Sequence, residues 1–160
     1  MQTQIRPAIE SDVPQILRFI HELADYEREP DAVLATEQDL LRDGFSDHPR
    51  FRCLMAEVES TPAGFALYFN SYSTWRGHHG IRLEDLYVTP AYRGKGIGKA
   101  LLAAVARVAV HEGCPRLEWD VLAWNTPAIG FYEKIGASMQ TEWRIMRTAD
   151  EALQHLAASL

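Results

Sequence analysis

Tyr92-Arg93-Gly94-Lys95-Gly96-Ile97-Gly98-Lys99 is the stretch around which the chain is organised. It follows a strand-like run, Leu83-Glu84-Asp85-Leu86-Tyr87-Val88, and opens a helix-like run from about Gly98 to Glu112. Glycine at 94, 96 and 98 lets the backbone approach a ligand with no Cβ in the way. Backbone N–H groups at a helix start, with Arg93, Lys95 and Lys99 alongside, suit an anion such as a pyrophosphate. The competing reading is a solvated strand-to-helix turn. Two familiar phosphate loops fail on spacing. A P-loop needs Ser or Thr after Gly-Lys and a glycine five positions earlier, where this chain has Ala100 and Arg93. The dinucleotide fingerprint would put a third glycine at Lys99 or Leu101.

Composition sets the class. One domain, residues 1–160, is expected, with 47% hydrophobic and 24% charged residues as in ordinary globular proteins. A net charge of -6 argues against nucleic acid as a partner and mildly favours cationic small molecules. The start carries no apolar leader, and no run approaches a membrane span of about 20 residues, so no secretory signal and no membrane partner are expected. Cys53 and Cys114 have neither disulfide nor metal spacing, and both read as reduced thiols of a cytoplasmic protein. The six histidines form no ligand set at sequence spacing. His78-His79 reads as solvated, and no metal is expected.

The periodicities predict a short strand at Ile5–Pro7. A helix over 12–26 follows, capped by Ser11, then a helix opened by Thr36 with Asp39 as its capping-box acid and ended near Gly44. Strands are predicted over 51–58, 63–72 and 81–88. Beyond the glycine loop come a helix stopped by Gly113, a strand over 117–121 and a helix capped by Asn125 or Thr126. A last hairpin (138–140 with 143–147) and a terminal helix over 149–158 complete the expectation. Strand–helix–strand order beside a strand meander predicts an α/β fold, a mixed central sheet with helices on both faces.

Arg-x-x-Gly-x-Gly, on Arg93, Gly96 and Gly98, resembles the acyl-CoA loop of the GNAT superfamily of N-acetyltransferases. Further segments are similar to its diamine branch, the spermidine/spermine and thialysine acetylating enzymes. They include Ile5-Arg6-Pro7-Ala8, Glu22-Leu23-Ala24 with Tyr26-Glu27, Asp43-Gly44-Phe45, Leu83-Glu84-Asp85, Trp124-Asn125, Phe131-Tyr132 and Gly136-Ala137-Ser138. The chain departs from that pattern twice: Ser73 stands where the branch has an acid, and the turn before Trp143 is shorter.

The resemblance implies acetyl-CoA as cosubstrate. Arg93, Gly94, Lys95, Gly96, Ile97, Gly98 and Lys99 would cradle its pyrophosphate. Leu86, Tyr87 and Val88 would lend strand backbone to its pantetheine arm. Thr126, Pro127 and Ala128 lie at a helix start near that arm. Asn125 is either a ligand of the arm or a plain helix cap. Transfer to an amine needs a neutral nitrogen, and a lysine-like amine of pKa ~10.4 is neutral in roughly one molecule in 2,500 at pH 7. Something must take that proton, and a carboxylate acting directly or through water is the usual agent; Glu84 matches the family's base, and its alternative is a structural strand carboxylate. Tyr132 matches the family's proton donor to the leaving thiolate, a step uphill by about 2 kcal/mol. It also fits a helix core face with Ile129 and Ile135. Tyr26, Glu27, Glu84, Glu118, Trp119, Asp120 and Glu142 match amine-binding positions, where carboxylates and aromatic faces attract ammonium.

The leading expectation is an acetyl-CoA-dependent N-acetyltransferase of a small primary amine. Homodimerisation is expected by analogy alone. The rivals are a protein-lysine acetyltransferase, a CoA-binding module without catalysis and, more distantly, a Walker-type nucleotide switch.

Overall fold

The structure, a computed structural model, describes residues 2–159. The chain divides into two compact units, one ending at Asp120 and one beginning at Val121.

The first unit is built on a five-stranded sheet in sequence order. β1 (Thr3–Pro7), β2 (Arg52–Val58), β3 (Thr61–Ser73) and β4 (His78–Val88) pair antiparallel, and β5 (Leu117–Glu118) runs parallel to β4. The β2–β3 connection is tighter than the sequence suggested. Glu59 and Ser60 both take positive φ (50° and 65°), the backbone of a two-residue primed turn that matches strand twist. β4 begins three residues earlier than predicted, because Ser73 Oγ accepts from Arg76 N (3.1 Å) and closes a short turn onto His78.

Three helices cover this sheet. α1 (Val13–Tyr26) and α2 (Glu37–Gly44) send Val13, Ile16, Phe19 and Leu40 into a core with Cys53, Met55, Phe65, Leu67 and Tyr87. Alternate residues of β2 and β3 thus face α1, and their neighbours Leu54, Ala56 and Ala66 are buried from the other side. α3 (Ile97–His111) runs against β1 to β4 and buries Leu101, Leu102, Val105 and Ala109. Phe19, 1% exposed, stacks on Phe65 with ring centroids 5.7 Å apart.

The α2 capping box forms as its sequence dictates: Asp39 N donates to Thr36 Oγ1 (3.2 Å) and Thr36 N to Asp39 Oδ2 (2.9 Å). The α1 start differs. Ser11 lies in a 3₁₀ turn, Glu10–Asp12, and Asp12 is the flanking residue. Asp12 is held there by a bidentate Arg6 guanidinium (2.7 and 2.9 Å), which also reaches Glu57 of β2 at 2.5 Å.

The second unit contains α4 (Thr126–Lys134) and α5 (Asp150–Ala157). The hairpin predicted over 138–147 is absent among the described residues; the segment is irregular and exposed. Its apolar residues suit a strand, but among the described residues no neighbouring strand accepts their backbone. β5 is likewise cut to two residues of the five predicted.

Candidate active site

The glycine loop lies between a 3₁₀ turn, Pro90–Tyr92, and α3. Gly94 (φ 74°) and Gly96 (φ 82°) hold left-handed backbone that strains any L side chain. Gly96 caps α3, which has no side-chain cap, so the N–H groups of its first turn are left for an outside acceptor. A Cβ at Gly94 or Gly96 would meet nothing within 4 Å, so the space above the loop is open. Exposed Lys99 stands in that first turn. These features fit an anionic pyrophosphate.

The other two cations are already engaged. Arg93 Nε donates to Val88 O (2.8 Å), and its guanidinium lies over the rings of Tyr26 (4.9 Å) and Tyr87 (5.4 Å). It therefore clamps the end of α1 to the end of β4. Lys95 Nζ donates to Ala91 O (3.0 Å) and sits over Tyr92.

β4 supplies both a bulge and a free edge. Leu83 pairs with Tyr68 and Asp85 with Leu67, so Glu84 is an unpaired extra residue in the ladder. Its side chain is exposed. Asp85 shares a register row with Leu67 and Cys53, both in the core beneath α1. β5 pairs with β4 only over Ile81–Arg82, so among the described residues no strand borders the far edge of Leu86, Tyr87 and Val88. Backbone N–H and C=O groups at such an edge suit the amides of a pantetheine arm.

Three carboxylates crowd the bulge. Burial pushes the Asp85 carboxyl up to about 7, with repulsion from Glu84 and then Glu27 adding to it. The Glu27 carboxyl, just past α1, is also raised, by desolvation and by Glu84. Tyr87 Oη donates to Glu22 Oε2 (2.9 Å), and its phenol is pushed to about 12, chiefly by burial. Carboxylates that repel one another in this way form a receptor for cationic nitrogen.

Asp120 pairs with Arg82 (2.5 Å) and Glu118 with Arg116 (4.0 Å), so both acids already face arginine; Trp119 between them is half-buried. In the second unit Asn125 is the N-cap of α4, its Oδ1 accepting from Ala128 N (3.4 Å), with Thr126 and Pro127 opening the helix. Tyr132 is half-buried on α4 with its ring 5.3 Å from Phe131, and Glu142 lies in an exposed turn.

Asp85 and Gly64 are the residues that sequence reading missed. Alternation along a strand would send Glu84 and Asp85 to opposite faces, and nothing in the residue pattern marks a bulge. A Cβ at Gly64 would lie 2.3 Å from Tyr87 O, so β3 approaches β4 where only glycine fits.

Comparison with known proteins identifies the family. The Acetyltransferase (GNAT) family pattern matches residues 16–137. The chain belongs to this family. It is therefore an acetyl-CoA-dependent N-acetyltransferase acting on amines. It is 44% identical to a thialysine N-epsilon-acetyltransferase of Bos taurus, over 96% of each chain. It is 32% identical to an L-ornithine N5-acetyltransferase of Arabidopsis thaliana, over 96% of this chain and 87% of that one. An integron cassette protein from the mobile metagenome of V. cholerae shares the fold, with TM-score 0.81, 30% identity and 99% of each chain covered. The acetyltransferase lacks any helix long and apolar enough to cross a membrane among its described residues.

Proposed function

We propose that this acetyltransferase transfers acetyl to the side-chain amine of a short amino-acid acceptor of the thialysine or ornithine kind. The observation that carries the reading is the mutual repulsion of Glu27, Glu84 and Asp85 at the end of β4. One ammonium at ~4 Å from a carboxylate gains roughly 1 kcal/mol in water and up to about 4 near a protein surface. The names of the curated relatives support a small diamine-like substrate. Ser73 is 7% exposed and spent on a turn, so it offers no acid to a second distant ammonium. A long polyamine is thereby disfavoured.

Acetyl-CoA supplies an acetyl thioester. Gly94 to Lys99 hold its phosphates, the edge of Leu86–Val88 holds its arm, and Asn125 to Ala128 offer a further helix start. Glu84, exposed on its bulge, removes the proton from the acceptor ammonium, directly or through water, while half-buried Asp85 fixes the local charge. Tyr132 returns a proton to the departing thiolate. Tyr26 supplies an aromatic face to the acceptor, and Glu118, Trp119, Asp120 and Glu142 are its outer contacts.

The family match extends from residue 16 to 137 and so runs across both compact units, which supports a single acetyltransferase domain over 1–160. The exposure of the apolar side chains of Trp143 (69%), Ile145 (65%) and Met146 (91%) supports a homodimer. Free thiols support a cytoplasmic setting.

Comparing kcat/KM for thialysine, ornithine, lysine, a short diamine, spermidine and spermine at fixed ionic strength tests the acceptor. An amino-acid amine should be best. Spermine preferred by about tenfold would reverse the reading, since that is the 1.4 kcal/mol an extra paired charge supplies.

A further inference from the structure

A second cluster of reactive side chains lies at the opposite end of β4 from the glycine loop. Parallel pairing sets Ile81 beside Leu117 and Arg82 beside Glu118. Counting back three residues on each strand brings His78 level with Cys114. Ile81 N donates to Arg116 O (3.0 Å), which holds the two chains in that register before the ladder begins. One donor atom each from His78, His79 and Cys114 lies within 4.8 Å of the others.

The local geometry favours ligation. His78 Nδ1 lies 2.8 Å from His79 O, so this nitrogen carries the proton and Nε2 keeps its lone pair. Metal-binding histidines use the same device, the second ring nitrogen donating to a backbone carbonyl. His78 Nε2 faces the turn that carries Cys114: it lies 3.7 Å from where a Cβ on Gly113 would be. The His78 and His79 rings stack with centroids 4.4 Å apart and planes at 26°, so the two imidazoles lie side by side. His78, His79 and Cys114 are each half-buried, so the group is reached from solvent without being fully hydrated. Glu112 stands behind His79, with Oε2 3.9 Å from Nε2, and is itself held by Arg52 and Asn70.

We propose that His78, His79 and Cys114 form a binding site for a thiophilic divalent metal ion, Zn²⁺ by the softness of its donors, with water as the fourth ligand. Two imidazoles and one thiolate are zinc donors, and hard cations such as Mg²⁺ or Ca²⁺ take oxygen instead. Tetrahedral bonds of about 2.0–2.3 Å bring the donors to about 3.3–3.6 Å from one another, so modest side-chain rotations close the site. Glu112 remains with Arg52 and acts on His79 from outside the coordination sphere. A thiolate is the ligand, so coordination releases one proton from Cys114 Sγ to solvent for each metal bound. The site ties the entry of β4 to the α3–β5 turn. The ten residue steps from His78 to Val88 span about 33 Å of strand, so this site is separate from the acetyl-CoA loop.

Co²⁺ is the probe. Titrating the untagged, metal-stripped chain should give a thiolate-to-cobalt charge-transfer band that saturates at one equivalent and is abolished by Zn²⁺. Cys114→Ser should remove the band, and His79→Gln should weaken Zn²⁺ affinity in calorimetry by about tenfold or more. In the unsubstituted chain Zn²⁺ should also slow alkylation of Cys114, a readout that needs no variant to fold. Absence of the band, alkylation unaffected by Zn²⁺, or Zn²⁺ affinity within about threefold across folded variants would each overturn the site, the last by showing only nonspecific histidine binding.

Discussion

Asp85→Asn isolates the electrostatic strain at the β4 bulge. The carboxyl titrates near 7 in the folded chain, against an ordinary value of 3.8. Below about pH 4 both folded and unfolded states hold the proton, and the group is neutral in its effect. Between about 4 and 7 the folded state holds a proton that the unfolded state has released, so stability falls as pH rises. Above 7 the full cost is present. Three units at 1.36 kcal/mol each give a penalty on the order of 4 kcal/mol. Asparagine keeps the shape of the neutral acid and cannot ionise. The variant should match the parent near pH 4 and exceed it by up to about 4 kcal/mol at pH 8.

Denaturant unfolding of both chains from pH 4 to 8, at one ionic strength, measures the difference directly. The gain should open between pH 4 and 7 and then level off. Parallel stability curves for parent and variant would refute the reasoning, because the pH dependence would then belong to other groups. Added acceptor supplies a second reading. An ammonium beside Asp85 favours its ionised form, so acceptor binding near pH 7 should release protons, and Asp85→Asn should abolish most of that release.

Gly96→Val places a β-branched side chain at φ 82° in the space above the loop, so acetyl-CoA affinity measured by calorimetry should fall by about tenfold or more while the chain remains folded. Arg6→Met strips Asp12 and Glu57 of their guanidinium and should cost about 1.5–3 kcal/mol at pH 7. The Arg6 bonds hold the Asp12 carboxyl below its usual range, so that cost should shrink as pH falls through the range where Asp12 takes a proton, as followed by acid unfolding. Phe19→Ala empties a site stacked on Phe65 and should lower stability by about 3–5 kcal/mol in urea titration. Tyr132→Phe should lower kcat modestly and leave KM for the acceptor near the parent value; unchanged turnover in single-turnover assays would remove the proton-donor role.

The parts of this fold legible in the residues are those that local chemistry determines. Thr36 and Asp39 cap a helix wherever an apolar stripe follows, and three glycines between a strand and a helix leave few backbones open. The Asp12–Arg6–Glu57 arrangement was not legible, since its members are 51 residues apart at most and meet only through the β1–β2 pairing. Ser11 looked like the cap because hydroxyls cap helices. A bidentate guanidinium on the next residue settles the start of α1 instead. The same distinction explains the strands that failed. Residues 143–147 are largely apolar, as a strand can be, but a strand needs a paired neighbour, and a pattern names no partner.

Glu84 and Asp85 show where the limit has functional weight. Strict alternation sends neighbours to opposite faces, so one of the two had to be discarded on sequence alone. The extra residue on β4 breaks the period at that position. It leaves Glu84 exposed, next in chain to a half-buried Asp85 it repels, four residues before the end of β4. A bulge costs ladder bonding and bends and twists its strand locally. Here it places a solvent-facing carboxylate directly beside one whose proton is held near neutral pH. That pairing meets both needs of amine acetylation, attraction of an ammonium and removal of its proton, in adjacent residues of one strand. A straightened β4, made by deleting Glu84, should restore the alternation and stabilise the sheet while abolishing turnover. Loss of stability together with activity would mean that the bulge is a requirement of packing and not of chemistry.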